Sequence, residues 1–279
     1  MIINKISLSF SERRIKRIFR NIIFKRGRVK CVKCGSFKIL SIRKENRYHC
    51  RKCRKKFSLL CNTWLKNVKI PLSQFIILLY FWLEDVNVGL ANKLIGLSRP
   101  TIYNYYRLFR RNVVKTIDFK PRNNVQVDEA YFGCFKKQAN YFHGNRTYHV
   151  QEKTCVAGIG CPTTGQLATM IVEGRPGKPI KEFIHREVPI NIKIYSDGSP
   201  IYTYLRKHYG YDHHSQTHDL GFETAYYIES CWSWMKRKLF KQYHHFTRKY
   251  AQEYVSELTF KFNTRKREKN PFYYLSKSL

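Results

Sequence analysis

The spacing of apolar positions divides the chain into segments of different character. Within a basic arm, residues 1–30, Ile15, Ile18, Phe19, Ile22 and Ile23 recur three and four apart among Arg13, Arg14, Lys16, Arg17 and Arg20. That spacing predicts a short amphipathic helix, with a basic face that lies either on phosphates or on the rest of the protein. Residues 72–86 are apolar almost throughout and read as a buried helix. The most apolar run, 75–83, ends at Glu84 and Asp85 and is too short to span a bilayer. Residues 90–106 then read as helix, Gly96-containing turn and second helix. Ser98 is a candidate N-cap, and Pro100 falls in the first turn, where a missing N–H costs little. From Pro121 the period changes. Short β-branched runs at 125–132, 149–159, 167–173 and 190–196 alternate with helical segments at 179–186, 199–209, 226–240 and 250–266. Three antiparallel strands, then alternating helix and strand, then terminal helices describe an α/β fold with a mixed sheet.

Charge narrows the class of partner. The 53 Lys and Arg outnumber the 19 Asp and Glu, leaving a formal net charge of +34. Residues 1–60 alone hold 20 basic and two acidic side chains. An excess of that density repels itself unless a polyanion neutralises it, so the expected partner is nucleic acid rather than a membrane. Hydrophobic residues make up 43% of the chain, enough to build cores and to exclude wholesale disorder. No h-region with a small-residue cleavage site follows the basic N-terminus, so the expectation is a soluble intracellular protein.

Cysteine usage agrees with a reducing compartment. Cys31, Cys34, Cys50 and Cys53 follow C-x2-C-x15-C-x2-C, two tight knuckles that together offer four thiolates. Such a set suits one structural Zn2+ with no open coordination position, and the intervening residues 37–48 would form the hairpin of a zinc ribbon. Lys33, Arg51, Lys52 and Arg54 are the candidate DNA contacts on this ribbon. Arg43, Lys44, Arg47, Lys55 and Lys56 add to its charge. In the helical pair 90–106 the grammar is that of a helix-turn-helix, whose second helix would offer Arg99, Thr101, Tyr103 and Asn104 to a groove.

Acids are scarce, so their positions carry information. Asp128 and Glu129 sit in the strand 125–132 and point to opposite faces by the period of two. Asp197 ends the strand 190–196 at a glycine, where α/β sheets usually keep their chemistry. Glu229 lies on a helix, on the same side as Lys236 seven residues on. Three carboxylates from two strands and a helix can converge on a pair of Mg2+ or Mn2+ ions, which suits displacement at phosphorus. Equally, Asp128 and Glu229 can pair with arginine while Asp197 caps the following helix. The 20 tyrosines raise a tyrosine nucleophile as another route. Most of them cluster as at Tyr103-Tyr105-Tyr106, and no paired-histidine metal motif accompanies them.

Several blocks together carry a resemblance. Cys31-Val32-Lys33-Cys34 with Tyr48-His49-Cys50-Arg51-Lys52-Cys53, Val127-Asp128-Glu129-Ala130-Tyr131-Phe132, Tyr195-Ser196-Asp197-Gly198 with His218 downstream, and Ile228-Glu229-Ser230-Cys231-Trp232 stand in the order seen in the Merlin group and related bacterial insertion-sequence transposases. The chain resembles these DDE enzymes over roughly residues 31–240. The resemblance implies a basic arm at 1–30, a zinc ribbon at 31–60, a helix-turn-helix region at 65–115 and a ribonuclease-H-like catalytic domain at 121–279. It implies catalytic Asp128, Asp197 and Glu229 with two Mg2+ or Mn2+ ions, Lys236 on a phosphate near the scissile bond, and His218 on DNA. The implied activity is metal-dependent cleavage and strand transfer at terminal inverted repeats, by a homodimer or higher oligomer associated with DNA in the nucleus or nucleoid. Family members commonly carry Asn three residues before the glutamate. Here that position is Tyr226, a poor Mg2+ ligand. The alternative reading is a zinc-ribbon DNA-binding protein, derived from a transposase, that has lost catalysis.

Overall fold

The computed structural model describes residues 11–24, 27–42, 45–132, 153–173, 177–202, 204–216, 225–243, 246 and 248–279. They form two compact units, one from the described residues up to Thr116 together with Lys269–Leu279, the other Ile117–Glu268.

In the first unit, helix α1 (Glu12–Ile23) opens on Ser11, whose side chain accepts from the Arg14 N–H at 3.3 Å. Ile15 and Phe19 are its buried residues, so the apolar stripe faces inward, with Arg13, Arg14 and Arg17 exposed. Strands β1 (Ile39–Ile42), β2 (Arg47–Cys50) and β3 (Lys56–Ser58) form an antiparallel sheet in that order. Its core is little more than Phe24, Cys31, Cys50 and Phe57, too small to hold a fold by burial alone. Helix α2 (Leu72–Leu83) buries eight of its twelve residues and forms the centre of the helical part. Pro71 gives α2 no side-chain cap, and the Glu12 carboxylate of α1 fills that role, accepting from the N–H groups of Leu72 at 3.2 Å and Ser73 at 3.0 Å. Helix α3 (Val88–Ile95) ends at Gly96 with φ 74°, and helix α4 (Arg99–Asn112) starts at Ser98, which accepts from the Thr101 N–H. The helix Pro271–Ser278 belongs to this unit rather than to the segment 121–279 in which the sequence places it. Tyr274 and Leu275 are fully buried, and Trp64 Nε1 donates to the Ser278 carbonyl at 3.1 Å.

The second unit has strands β4 (Asn124–Phe132), β5 (Thr154–Cys161) and β6 (Gln166–Val172), helix α5 (Gly177–Glu187), strand β7 (Lys193–Asp197), helix α6 (Tyr204–Tyr209), strand β8 (His213–Gln216), and helices α7 (Tyr226–Tyr243) and α8 (Ala251–Asn263). The sheet order is β6-β5-β4-β7-β8, the first three strands antiparallel and β7 and β8 parallel to β4. That order and those directions are the ribonuclease-H-like arrangement. One face packs Val125, Val127 and Ile159 against Ile180, Phe183 and Ile184 of α5, and the other packs Ala130, Phe132 and Val156 against Ile228, Trp232 and Met235 of α7. Gly158 permits the second contact, because a Cβ there would lie 2.4 Å from the Trp232 ring.

Two elements depart from the sequence-based reading. Strand β8 lies in a stretch where the sequence pattern predicts no strand. Its His213 is buried and shares a hydrogen bond of 2.8 Å with Ser196 Oγ, while His214 stacks on Tyr195 and pairs with Asp212 at 2.8 Å. Helix α6 begins at Tyr204 instead of residue 199, because the Asp197 carboxylate takes the Ser199 N–H at 3.1 Å and the chain turns before it can wind. Among the described residues no helix is long and apolar enough to cross a membrane.

Candidate active site and nucleic-acid interface

Asp128 lies near the middle of β4, half-buried, on the face that meets α7. Ser196 of β7 pairs in parallel register with Val127, so Asp197 ends its strand level with Asp128 on the neighbouring strand. Gln126, two residues before Asp128 and on the same face, accepts from the N–H groups of Tyr227 at 2.9 Å and Ile228 at 3.1 Å. These bonds hold the first turn of α7, which carries Glu229. Trp232, one turn on, donates its indole N–H to Asp128 Oδ2 at 2.9 Å. Thus a single strand face, Gln126 and Asp128, sets the position of the helix that brings the third acid.

The electrostatics follow from this packing. Burial pushes the Asp128 carboxyl above its usual range; the Glu129 N–H and the Trp232 indole partly offset this, and the Asp197 and Glu229 carboxylates push it further up. The three candidate acids therefore share one neighbourhood. It is an open one: among the described residues, only the four cysteines bring three or more metal-ligating atoms within 4.8 Å of one another. Oxygen donors that repel one another in an otherwise cationic chain fit a hard divalent ion such as Mg2+ or Mn2+, whose charge relieves that repulsion. Glu229 and Tyr226 are exposed, Tyr226 at 58%. Lys236 is exposed near the end of β4, its Nζ 5.9 Å from the centre of the Phe132 ring. Glu129 faces the opposite side of the sheet, also raised by burial, with Oε1 buried and without a hydrogen-bond partner. Gln126 and Trp232 escaped the sequence reading. Gln126 was legible by the strand period alone, Trp232 only once the helix lay across β4.

The cysteine site is closed. The Sγ atoms of Cys31 and Cys53 lie 3.5 Å apart and those of Cys34 and Cys50 3.6 Å, close to the ~3.8 Å that tetrahedral Zn–S bonds of about 2.3 Å require. Burial resists ionisation of Cys31, but the N–H groups of Cys34 and Lys33 outweigh it and bring the thiol down to about 6. The Cys53 N–H likewise lowers Cys50. The Lys55 N–H works to lower Cys53, but burial and the three neighbouring thiols push it up to about 11, so the set gives up its protons in steps; four free thiols in this geometry fit Zn2+.

Lys33, Arg51, Lys52 and Arg54 stand exposed on the knuckles, as do Arg99 and Asn104 at the start of α4. Thr101 is half-buried and bonded to Ser98 Oγ at 2.8 Å, so its hydroxyl is committed to the cap. His218, Arg43 and Lys44 lie outside the described residues. Another basic surface lies beside α1. A concavity of about 950 Å³ between α1, the ribbon sheet and residues 66–72 is lined by Arg13, Arg14, Lys16, Arg17, Arg20 and Arg47, with Lys66 at one end and no carboxylate. The Arg20 Nε is buried there without an acceptor.

Comparison with known proteins gives these features a lineage. Residues 122–263 match the family model of the ISXO2-like transposase domain, and residues 10–56 match that of the transposase zinc-ribbon domain. A search of curated proteins found no match. Among solved structures, the chain is similar to the catalytic core domain of BIV integrase (12% identity, TM-score 0.35, covering 52% of this chain and 84% of that one). It is also similar to the simian T-cell lymphotropic virus intasome in complex with PP2A regulatory subunit B56 gamma (13%, 0.35, 61% and 63%). A third likeness is to the HTLV-2 integrase catalytic core domain in complex with magnesium (11%, 0.29, 51% and 86%).

Proposed function

The chain belongs to the ISXO2-like transposases, and from that premise we propose that it binds the terminal inverted repeats of a DNA element, cuts them and joins the freed ends to a target duplex. Asp128, Asp197 and Glu229 would hold two Mg2+ or Mn2+ ions. Such ions supply charge stabilisation for attack and departure of oxygen at phosphorus. The protein's own part is positioning. Gln126 fixes the start of α7 and with it Glu229, and Trp232 orients the Asp128 carboxylate through its indole N–H. Lys236, on the same helix, would neutralise a phosphate beside the cut. What supports this reading most directly is that the Asp128 carboxyl responds to both Asp197 and Glu229 inside the segment that matches the transposase model.

Duplex recognition falls to the first unit. The knuckle residues Lys33, Arg51, Lys52 and Arg54 and the α4 residues Arg99 and Asn104 would reach the repeats. The concavity beside α1 would take backbone phosphates and supply the sequence-independent part of the affinity. The protein would act as a homodimer or higher oligomer, associated with DNA inside the cell. The test is cleavage of a repeat-bearing duplex in Mg2+ or Mn2+ by the wild type and by Asp128→Asn. The variant is expected to lose on the order of 10³ in rate while its duplex affinity changes by less than about twofold. Equal activity in the two proteins, or none in either, leaves a DNA-binding protein without this chemistry.

A further inference from the structure

The second unit carries a basic patch that the acids do not use. Lys120, Arg122, Arg265, Lys266 and Arg267 line a concavity of about 470 Å³ at the β5–β6 turn, joined by Thr164 and by no carboxylate. Elsewhere on this unit, several exposed cations have acidic neighbours: Lys178 with Glu182 at 3.8 Å, Arg186 with Glu187 at 2.8 Å and Lys193 with Asp212 at 3.9 Å. Here five cations face one space without that relief. The Thr164 hydroxyl is buried and has no hydrogen-bond partner, so a donor waits in the wall of the patch.

The walls are built rather than incidental. The Gln166 side chain accepts from the Lys120 N–H and donates to the Asp118 carbonyl, both at 3.0 Å. Asn263 bonds both ways with the Leu167 backbone at 2.7 and 2.8 Å. Arg265 donates to the Gly165 and Phe262 carbonyls and lies 3.7 Å over the Phe262 ring. Three chain segments are thereby locked around the space, and little ordering cost remains when an anion enters. Lys120, Arg265, Lys266 and Arg267 fall outside the matched segment 122–263.

We propose that this patch is a second DNA-backbone site, which grips duplex phosphates on the catalytic unit apart from the site beside α1. The inference rests on the reading that the chain handles DNA. The patch lies at the start of β4. Asp128 follows the patch residue Arg122 by six positions, on the order of 20 Å or about six base pairs along extended chain. A duplex held here lies within reach of the acids.

The test is lysine acylation footprinting of the full chain, read by mass spectrometry, with a 30-base-pair duplex whose binding is followed by anisotropy. Lys120 and Lys266 are expected to react at least about fivefold more slowly with duplex bound, while Lys178 keeps its rate. Arg122→Ala with Arg267→Ala is expected to lower the log–log salt slope of duplex binding by about 2. Unprotected Lys120 and Lys266 on bound protein, or an unchanged slope, would overturn the proposal and leave the α1 site standing. Protection by polyglutamate but not by duplex would overturn it in favour of an acidic protein partner. Absence of any duplex binding would sink both sites. The Asp128→Asn cleavage result does not enter this readout, so the catalytic reading fails or stands separately.

Discussion

The chain contains two groups of side chains proposed to hold metal ions, and they are built on opposite plans. The four cysteines lie within 23 consecutive residues, on knuckles flanking one small sheet, and their sulfurs are already drawn within 4.8 Å of one another. The three acids are spread over 102 residues on β4, β7 and α7, and remain more open. The difference follows from what each unit has to hold it. The ribbon's core is a few side chains, and a metal held by its thiols would supply the cross-link that burial cannot. The catalytic sheet is buried on both faces and needs no such help. It can keep like charges close without collapse, as the proposed binding of divalent ions requires.

That contrast can be broken at either end. The largest effect is expected from Cys50→Ser. Bound zinc, about one per chain in the wild type, should be lost with the ribbon fold, and duplex affinity should fall on the order of 10²–10³. The melting of the second unit should remain. A variant that keeps its zinc, or loses both units together, would contradict the division of labour. Next comes neutralising α1. Arg13→Ala, Arg14→Ala and Arg17→Ala together are expected to reduce the salt slope of duplex binding by about 3. If the knuckle variants Lys33→Ala with Lys52→Ala move the slope more, the knuckles rather than the concavity take the backbone.

The smallest effect concerns the sheet itself. Burial holds His213 below its ordinary pKa of 6.5, with His214 adding to the shift. A group lowered in this way contributes stability above the unfolded value, and that contribution is lost as pH falls through the folded one. Wild type should therefore lose more melting temperature than His213→Gln between pH 7.5 and 5.5, by on the order of 2 °C. Equal losses would mean that the Ser196–His213 bond does not depend on the neutral ring.

Legibility differed along the same line. The spacing Cys31, Cys34, Cys50 and Cys53 announced a closed site because neighbours in sequence must be neighbours in space across a hairpin. The helix start at Ser98 was readable for the same local reason. Strand β8 was not. His213-His214-Ser215-Gln216 has no apolar alternation, and it becomes a strand because β7 offers it a paired edge and Ser196 offers His213 a buried partner. The C-terminal helix was equally opaque. Nothing in Pro271–Ser278 says which unit will cover Tyr274 and Leu275.

By itself, then, the sequence determined whatever depends on short-range order: helix faces, caps, the thiol set, the alternating strands and the concentration of positive charge. Tertiary structure alone decided which side of β4 meets α7, that Trp232 would reach Asp128, and that the cations beside α1 and at the β5–β6 turn would each share a hollow. Periodicity constrains a residue's direction within its own element. Only packing between elements far apart in the chain decides what that direction meets.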